Sequence, residues 1–435
     1  MAKRLLVGIS LLALCLTLGS CGGGGGGLPM DIDLSEAMSL PMASSPQPGT
    51  GQCQDLLEEW ETDFPQTKAE LEQRLQAFMD LVQADPDNAC AQLGLVIAIL
   101  AVGTHNGANY LGYDLFPGAG TASVARGFAD GPCGSDVVLK QSLHLALGEP
   151  AKPSVQPSSR GEIPGTTLTT EQVQAAIEQL VLPGLANCIE RLDALISGAP
   201  SGDFVLATVE LDGSLVNLYR ADMNAITATI QLLRGFLLQL VAYNLNPEGY
   251  DWEEPLPDKD DDSNGILTVS EHAPPDPFLT LRSGSSMTAA GVALRDAVQR
   301  ARAALEFREP DSLLDALLPG DTSDVEENLA DVDEMLSGQV TATAHYNPTG
   351  GSTNVEIDMS SLWSDPIEDL KDLLPQLHID LTSGGYSITV GATDFPDKSF
   401  DGLFPDGGVL IDVLTADHDV VVLEYESIEI QLIPL

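Results

Sequence analysis

"QVTATAHYNPTGGSTNVEIDM", Gln339 to Met359, decides the fold class. β-branched and apolar residues alternate with polar ones from Gln339 to Tyr346 and again from Thr353 to Met359. Asn347, Pro348, Gly350 and Gly351 stand between the two runs. Period-two patterning bounded by turn residues is strand chemistry, because successive side chains on a strand face opposite ways. The same texture recurs in "YSITVGA" (386–392), "GVLIDVL" (408–414) and "VVVLEYESIEIQLI" (420–433). Residues 338–435 therefore read as a β-rich domain, with one short helix at "IEDLKDLL" (367–374) opened by Asp365-Pro366.

Upstream the period changes. In Leu71–Gly103, Leu71, Leu75, Phe78, Leu81 and Val82 recur at helical spacing, Asp85-Pro86 ends that helix, and Asp87 or Asn88 caps the next. In Thr170–Ser197 one side carries Val173, Ile177, Leu180, Leu185, Ile189, Leu192 and Ile196, and Pro183 kinks or splits the helix. "FVLATVEL" (204–211) reads as a strand. The run Ser214–Asn244 reads as one long central helix, in which Arg220, Asp222 and Arg234 argue against a membrane span. Helices at 286–307 and 324–337 complete the set. The class is α+β, a mainly helical body followed by a β-rich domain. The expected organisation is a helical domain at 51–246, a connection at 247–280, helices at 281–337 that complete the helical domain, and the β-rich domain at 338–435.

The chain holds 19 Lys and Arg against 65 Asp and Glu, a net charge of −46. Such a surface repels nucleic acid and anionic lipid and concentrates cations, and a salt-adapted surface accounts for it equally well. At the N-terminus, Lys3 and Arg4 precede an apolar run from Leu5 to Leu18, the pattern of a secretory signal peptide over residues 1–20. Leu18-Gly19-Ser20-Cys21 resembles the lipobox of bacterial lipoproteins. That resemblance implies an acylated Cys21, a membrane anchor and a cell-envelope location, with Gly22 after the cysteine favouring the outer membrane. Residues 21–50, glycine-rich and then rich in Pro and Ser, read as a flexible tether with about 30 Å root-mean-square reach.

Asp85-Pro86-Asp87-Asn88-Ala89-x-Ala91-x-x-Gly94-Leu95 resembles the junction between tetratricopeptide repeats, over about 35 residues with no second copy. The reading is a single helical hairpin whose small residues admit close approach. Cys53, Cys90, Cys133 and Cys188 are an even set of cysteines in an oxidising compartment, and none has the CxxC spacing of zinc or redox sites. The resemblance places the starts of equivalent helices side by side. With short-loop closure, that favours Cys53–Cys90 and Cys133–Cys188.

The sharpest chemistry lies in "DDDSNGILTVSE", Asp260–Glu271. Asp260, Asp262 and Asn264 take positions one, three and five of a calcium loop, and Gly265 takes the sharp turn at six. Ile266 offers its carbonyl at seven, Thr268 an oxygen at nine, and Glu271 two oxygens at twelve. The twelve residues resemble the EF-hand loop, yet "PEGYDWEEPLPDK" (247–259) is no helix and Pro274-Pro275 stops one soon after. Without levers to swing, calcium acts here as a structural clip in the 247–280 connection. Asp397–Gly408 imitates the first half with Asp397, Ser399, Asp401 and Gly402. Gly408 stands at position twelve, so the expectation is a turn.

No catalytic motif stands out: HExxH, GxSxG, SxxK and a phosphate-binding loop are all missing from the sequence. His378 and Asp380 share one face of an extended segment, a weak seed for a metal. The reading is a lipid-anchored envelope protein with a structural calcium site, in which the helical body takes a protein or peptide partner. The alternative is a lipoprotein that binds a small molecule or glycan between its helical and β-rich domains.

Overall fold

The computed structural model describes residues 31–49, 51–62, 65–110, 170–201, 204–211, 214–246, 265–318, 320–347, 351–382, 385–416 and 420–432. The fold is α+β, with helices dominating the N-terminal part and antiparallel sheets concentrated in the C-terminal part. The chain forms two compact units, one of Met1–Leu233 with Glu306–Pro319, the other of Arg234–Leu305 with Gly320–Leu435. Their boundary does not follow the expected one near residue 337. The helices at 284–305 and 323–337 belong to the unit that holds the β-rich end, because their apolar faces pack within it.

The first unit is built from α1 (Ser35–Ser39), α2 (Gly51–Thr62), α3 (Lys68–Ala84), α4 (Ala89–Tyr110), α5 (Thr170–Ala176) and α6 (Leu182–Gly198). Thr67 caps α3 by accepting from the Glu70 N–H, and Asn88 caps α4 by accepting from the Ala91 N–H at 3.0 Å. The four-residue connection makes α3 and α4 a hairpin. A Cβ on Gly94 would come within 2.0 Å of the Phe78 ring, so only glycine permits this approach. Between α5 and α6, Ile177–Val181 form a π-turn in which the Leu182 N–H reaches back to the Ile177 carbonyl. It ends one residue before Leu182-Pro183; Pro183 has no N–H to continue an α ladder, and the chain stays helical through the proline by widening.

Two sequence expectations change in this unit. Residues 31–49 are not tether. Ile32, Leu34, Ala37 and Ala43 are buried, and Ile32 and Leu34 alone are worth about 1.5–3 kcal/mol each. The proline- and serine-rich composition masks a short apolar pattern at 32, 34 and 37. The helix expected from Ser214 starts instead at Arg220. Ser214–Leu218 is strand β2, paired antiparallel with β1 (Ala207–Leu211), and the helix α7 runs Arg220–Ala242. Asp212-Gly213 between two alternating runs is a hairpin signal that outweighs the apolar continuity of the long run.

Among the described residues the second unit carries two antiparallel sheets. One is ordered β5-β4-β8-β9, with β4 at Gln339–Asn347, β5 at Gly351–Asp358, β8 at Val420–Tyr425 and β9 at Ile428–Leu432. Val340, Ala342, Ala344, Val355, Ile357, Val421, Leu423 and Tyr425 form its apolar core, with Met335 from the helix Ser323–Ser337 and Leu410 and Val413 from the helix Val409–Leu414. The latter helix replaces the strand expected at 408–414. Asp406 Oδ1 accepts the N–H groups of Gly408 and Val409, and Gly408 sits at φ +83° to start the turn. The helix expected at 367–374 is only a 3-10 turn, Leu370–Leu373, capped by Asp369. The other sheet is ordered β3-β6-β7, with β3 at Ile266–Leu267, β6 at Leu377–Thr382 and β7 at Gly385–Thr389. The helix Gly284–Glu306 packs Gly291 against Trp363, where a Cβ would approach the indole within 2.4 Å.

Candidate metal centre

The calcium-loop sequence meets the described fold at Gly265. That residue adopts φ +81°, a backbone region that favours glycine, and a Cβ would sit tightly, 3.3 Å from the Ile379 carbonyl. Next comes the two-residue strand β3, with Ile266 opposite His378 and Leu267 opposite Leu377. The Ile379 N–H donates to the Gly265 carbonyl at 2.8 Å. Ladder bonds alternate along an antiparallel pair, so Ile266 falls at a non-hydrogen-bonded position and its carbonyl faces away from β6. Leu267, at position eight, is fully buried behind the turn.

Thr268 then caps the one-turn helix Val269–His272 in a capping box. Glu271 Oε2 accepts from the Thr268 N–H and from Thr268 Oγ1, both at 2.6 Å. The oxygens of positions nine and twelve are thus held side by side, and Pro274-Pro275 follows the helix end as expected. Asp260, Asp262 and Asn264 lie outside the described residues. Of the six expected ligands, the structure places Ile266, Thr268 and Glu271 on one strand–turn–helix. These are carbonyl, hydroxyl and carboxylate oxygens, the hard donors that suit calcium. Among the described residues alone, no three His, Cys, Asp or Glu side chains converge on a common point.

The look-alike at 397–408 is a closed turn. Asp397 Oδ1 accepts from the Ser399 N–H at 2.8 Å and Oδ2 from the Asp401 N–H at 2.6 Å. Phe400, Asp401 and Gly402 follow in the left-handed region, and Gly408 leaves position twelve without a carboxylate. His378 pairs not with Asp380 but with Asp394, Nε2 to Oδ1 at 3.0 Å. That hydrogen bond, with one from the Gly391 N–H, holds the Asp394 carboxyl below the usual carboxylate range.

Of the cysteines, Cys53 and Cys90 are joined in a disulfide between α2 and the start of α4, with Cα atoms 6.1 Å apart. Cys188, expected to pair with Cys133, is a free thiol sealed within α6, and its Sγ sits 3.8 Å from the Val96 carbonyl. Burial pushes its pKa up to about 12. Cys133 and the acylation candidate Cys21 lie outside the described residues.

Sequence reasoning missed the polar supports of the first unit. Arg191 is fully buried, and every one of its acceptors is neutral. Nε donates to Asn187 Oδ1 at 2.8 Å and Nη1 to Gln92 Oε1 at 2.7 Å. Nη1 and Nη2 also reach the carbonyls of Pro41, Ala37 and Leu40, closing the end of α1. Burial lowers the guanidinium's pKa. Asn106 exchanges two hydrogen bonds with the Ile32 main chain, and Asp31 bridges Lys68 Nζ at 2.5 Å and His105 Nε2 at 3.0 Å. Asp222, also buried, accepts from the N–H groups of Tyr219 and Leu314, and desolvation raises its pKa to about 6. A charged residue on an apolar helix face was the available signal for both Arg191 and Asp222.

Among the described residues two helices, Ala89–Gly107 and Arg220–Ala242, are long and apolar enough to cross a membrane by length and composition, a weak signal that buried core helices share. In the first, 83% of the apolar window is buried inside the fold. No protein-family model, curated protein or solved structure matches this chain.

Proposed function

We propose that this chain is a protein of the bacterial cell envelope, anchored by acylated Cys21, in which calcium clips residues 260–271 and a protein or peptide is the partner. The observation that carries the calcium reading is the run Gly265–Glu271: a left-handed glycine, a two-residue strand and a capped helical turn in the order a calcium loop needs. It supports Ile266, Thr268 and Glu271 as ligands, with Asp260, Asp262 and Asn264 completing the set.

In a paired EF-hand the short strand meets a second loop. Here β3 meets β6, a substitute that fixes the turn without contributing a second ion. Affinity in the range of about 0.1–1 mM, suited to an extracytoplasmic compartment, is the expected consequence. The ion neutralises acids that otherwise repel one another, so its effect is to order a connection and not to open a groove.

The membrane anchor rests on the lipobox. Residues 31–49, expected as part of the tether, pack on the helical unit instead. Limited proteolysis with and without calcium tests the clip. Calcium should protect the 247–280 connection in the wild type but not in Glu271→Gln. Cleavage that ignores calcium in both proteins would reject it.

A further inference from the structure

We infer that the open edge of β7 is the docking site for a cationic, extended peptide segment with apolar residues at alternate positions. This rests on the peptide-partner reading above and gives it a location. Among the described residues β7 ends the sheet β3-β6-β7, with no strand hydrogen-bonded to its other side. The Ile379 N–H is committed to Gly265 on the β3 side, which makes Ile379–Ile388 a non-hydrogen-bonded pair on the other. The ladder to β6 therefore runs through Ser387 and Thr389, and the N–H and C=O groups of Tyr386 and Ile388 point off the open edge.

The side chains tell the same story. Across one face of the sheet, exposure rises from 0% at Leu267 and 7% at Ile379 to 41% at Ile388 and 45% at Tyr386. An added strand would cover the two residues the sheet leaves half out. Edge strands are ordinarily guarded by charge, proline or a bulge, whereas Gly385–Thr389 carries none of these. Strand addition uses such an edge, with main-chain bonds giving affinity and alternate side chains giving selectivity. The net charge of −46 opposes a second copy of this chain and attracts a cationic segment. Asp380, exposed and opposite Ser387, adds a local acid on the other face.

The test uses the full chain and a fluorescent synthetic peptide, Lys-Val-Thr-Val-Lys-Val-Thr-Val-Lys amide, with Glu in place of every Lys as control. Anisotropy reads affinity, and hydrogen exchange reads the Tyr386 and Ile388 amides. The cationic peptide should bind, protect both amides, and lose at least about tenfold in affinity with Ile388→Pro, which removes an outward N–H, or with Ile388→Lys. Lys leaves the β6 ladder intact and so guards against a folding artefact of the proline. Equal binding to both variants without protection at β7 would overturn the site while sparing the peptide reading. No binding of either peptide would overturn both. Equal affinity for the acidic peptide, or a wild-type dimer dissolved by Ile388→Lys, would overturn the cationic partner.

Discussion

Replacing Arg191 by Ala should detach the N-terminal segment from the helical unit before anything else gives way. The guanidinium is completely buried, and its donors satisfy Asn187, Gln92 and the carbonyls of Ala37, Leu40 and Pro41 at 2.7–3.3 Å. Each hydrogen bond from a charged donor is worth about 1.5–3 kcal/mol, but the unpaired charge also carries a desolvation penalty of several kcal/mol. Truncating one member of such a buried set costs about 3–5 kcal/mol, a large share of the 5–15 kcal/mol that holds a typical domain. Arg191→Met should lose less, about 1–3 kcal/mol, because it refills the volume and removes the charge yet leaves the acceptors wanting. Urea unfolding measures the total. Native-state hydrogen exchange then asks whether amides in 31–48 lose protection first. A loss under about 1 kcal/mol for Ala, or a segment still protected, would refute the clamp.

The other expectations are shorter. Asp222, with its pKa raised from 3.8 to about 6 by burial, contributes stability below pH 3.8 that is lost as the pH climbs through 6. Relative to Asp222→Asn, the wild type should therefore lose about 3 kcal/mol between those limits, as read from unfolding midpoints at each pH; a constant difference would contradict it. Cys21→Ser should abolish palmitate labelling and move the protein out of the membrane fraction, and label persisting in the variant would rule out acylation at Cys21. Asp397→Asn should leave calcium binding unchanged in a titration, because Gly408 stands where that segment would need its bidentate carboxylate.

The helices at 68–84, 170–198 and 284–306 were legible because their apolar faces repeat at 3.6 residues over many turns. All but Leu180 of the seven apolar positions named in 170–197, and all but Leu81 of the five named in 68–84, are buried. Shorter elements were lost to competing signals. Residues 31–49 read as tether because Pro and Ser outnumber the few buried apolar side chains, and their docking depends on partners far along the sequence, Asn106 at one end and Arg191 in the middle. Ser214–Leu218 read as helix because it abuts one, and Val409–Leu414 read as strand because six residues are too few for either period to show. What decides the latter is Asp406, a cap supplied by one side chain. In the loop, residue types and spacing gave the proposed ligands. Only the fold reveals that β6 turns the Ile266 carbonyl outward and that Thr268 and Glu271 are already in contact.

The measurement that bears most directly on the central claim is a calorimetric titration of calcium into the chain from residue 22 onward, beside Glu271→Gln. The account predicts one site with Kd near 0.1–1 mM in the wild type, a heat of binding lost in Glu271→Gln, and about 2.7 kcal/mol of added stability at a hundredfold excess over Kd. Absence of binding to the wild type, or undiminished binding to Glu271→Gln, would contradict it.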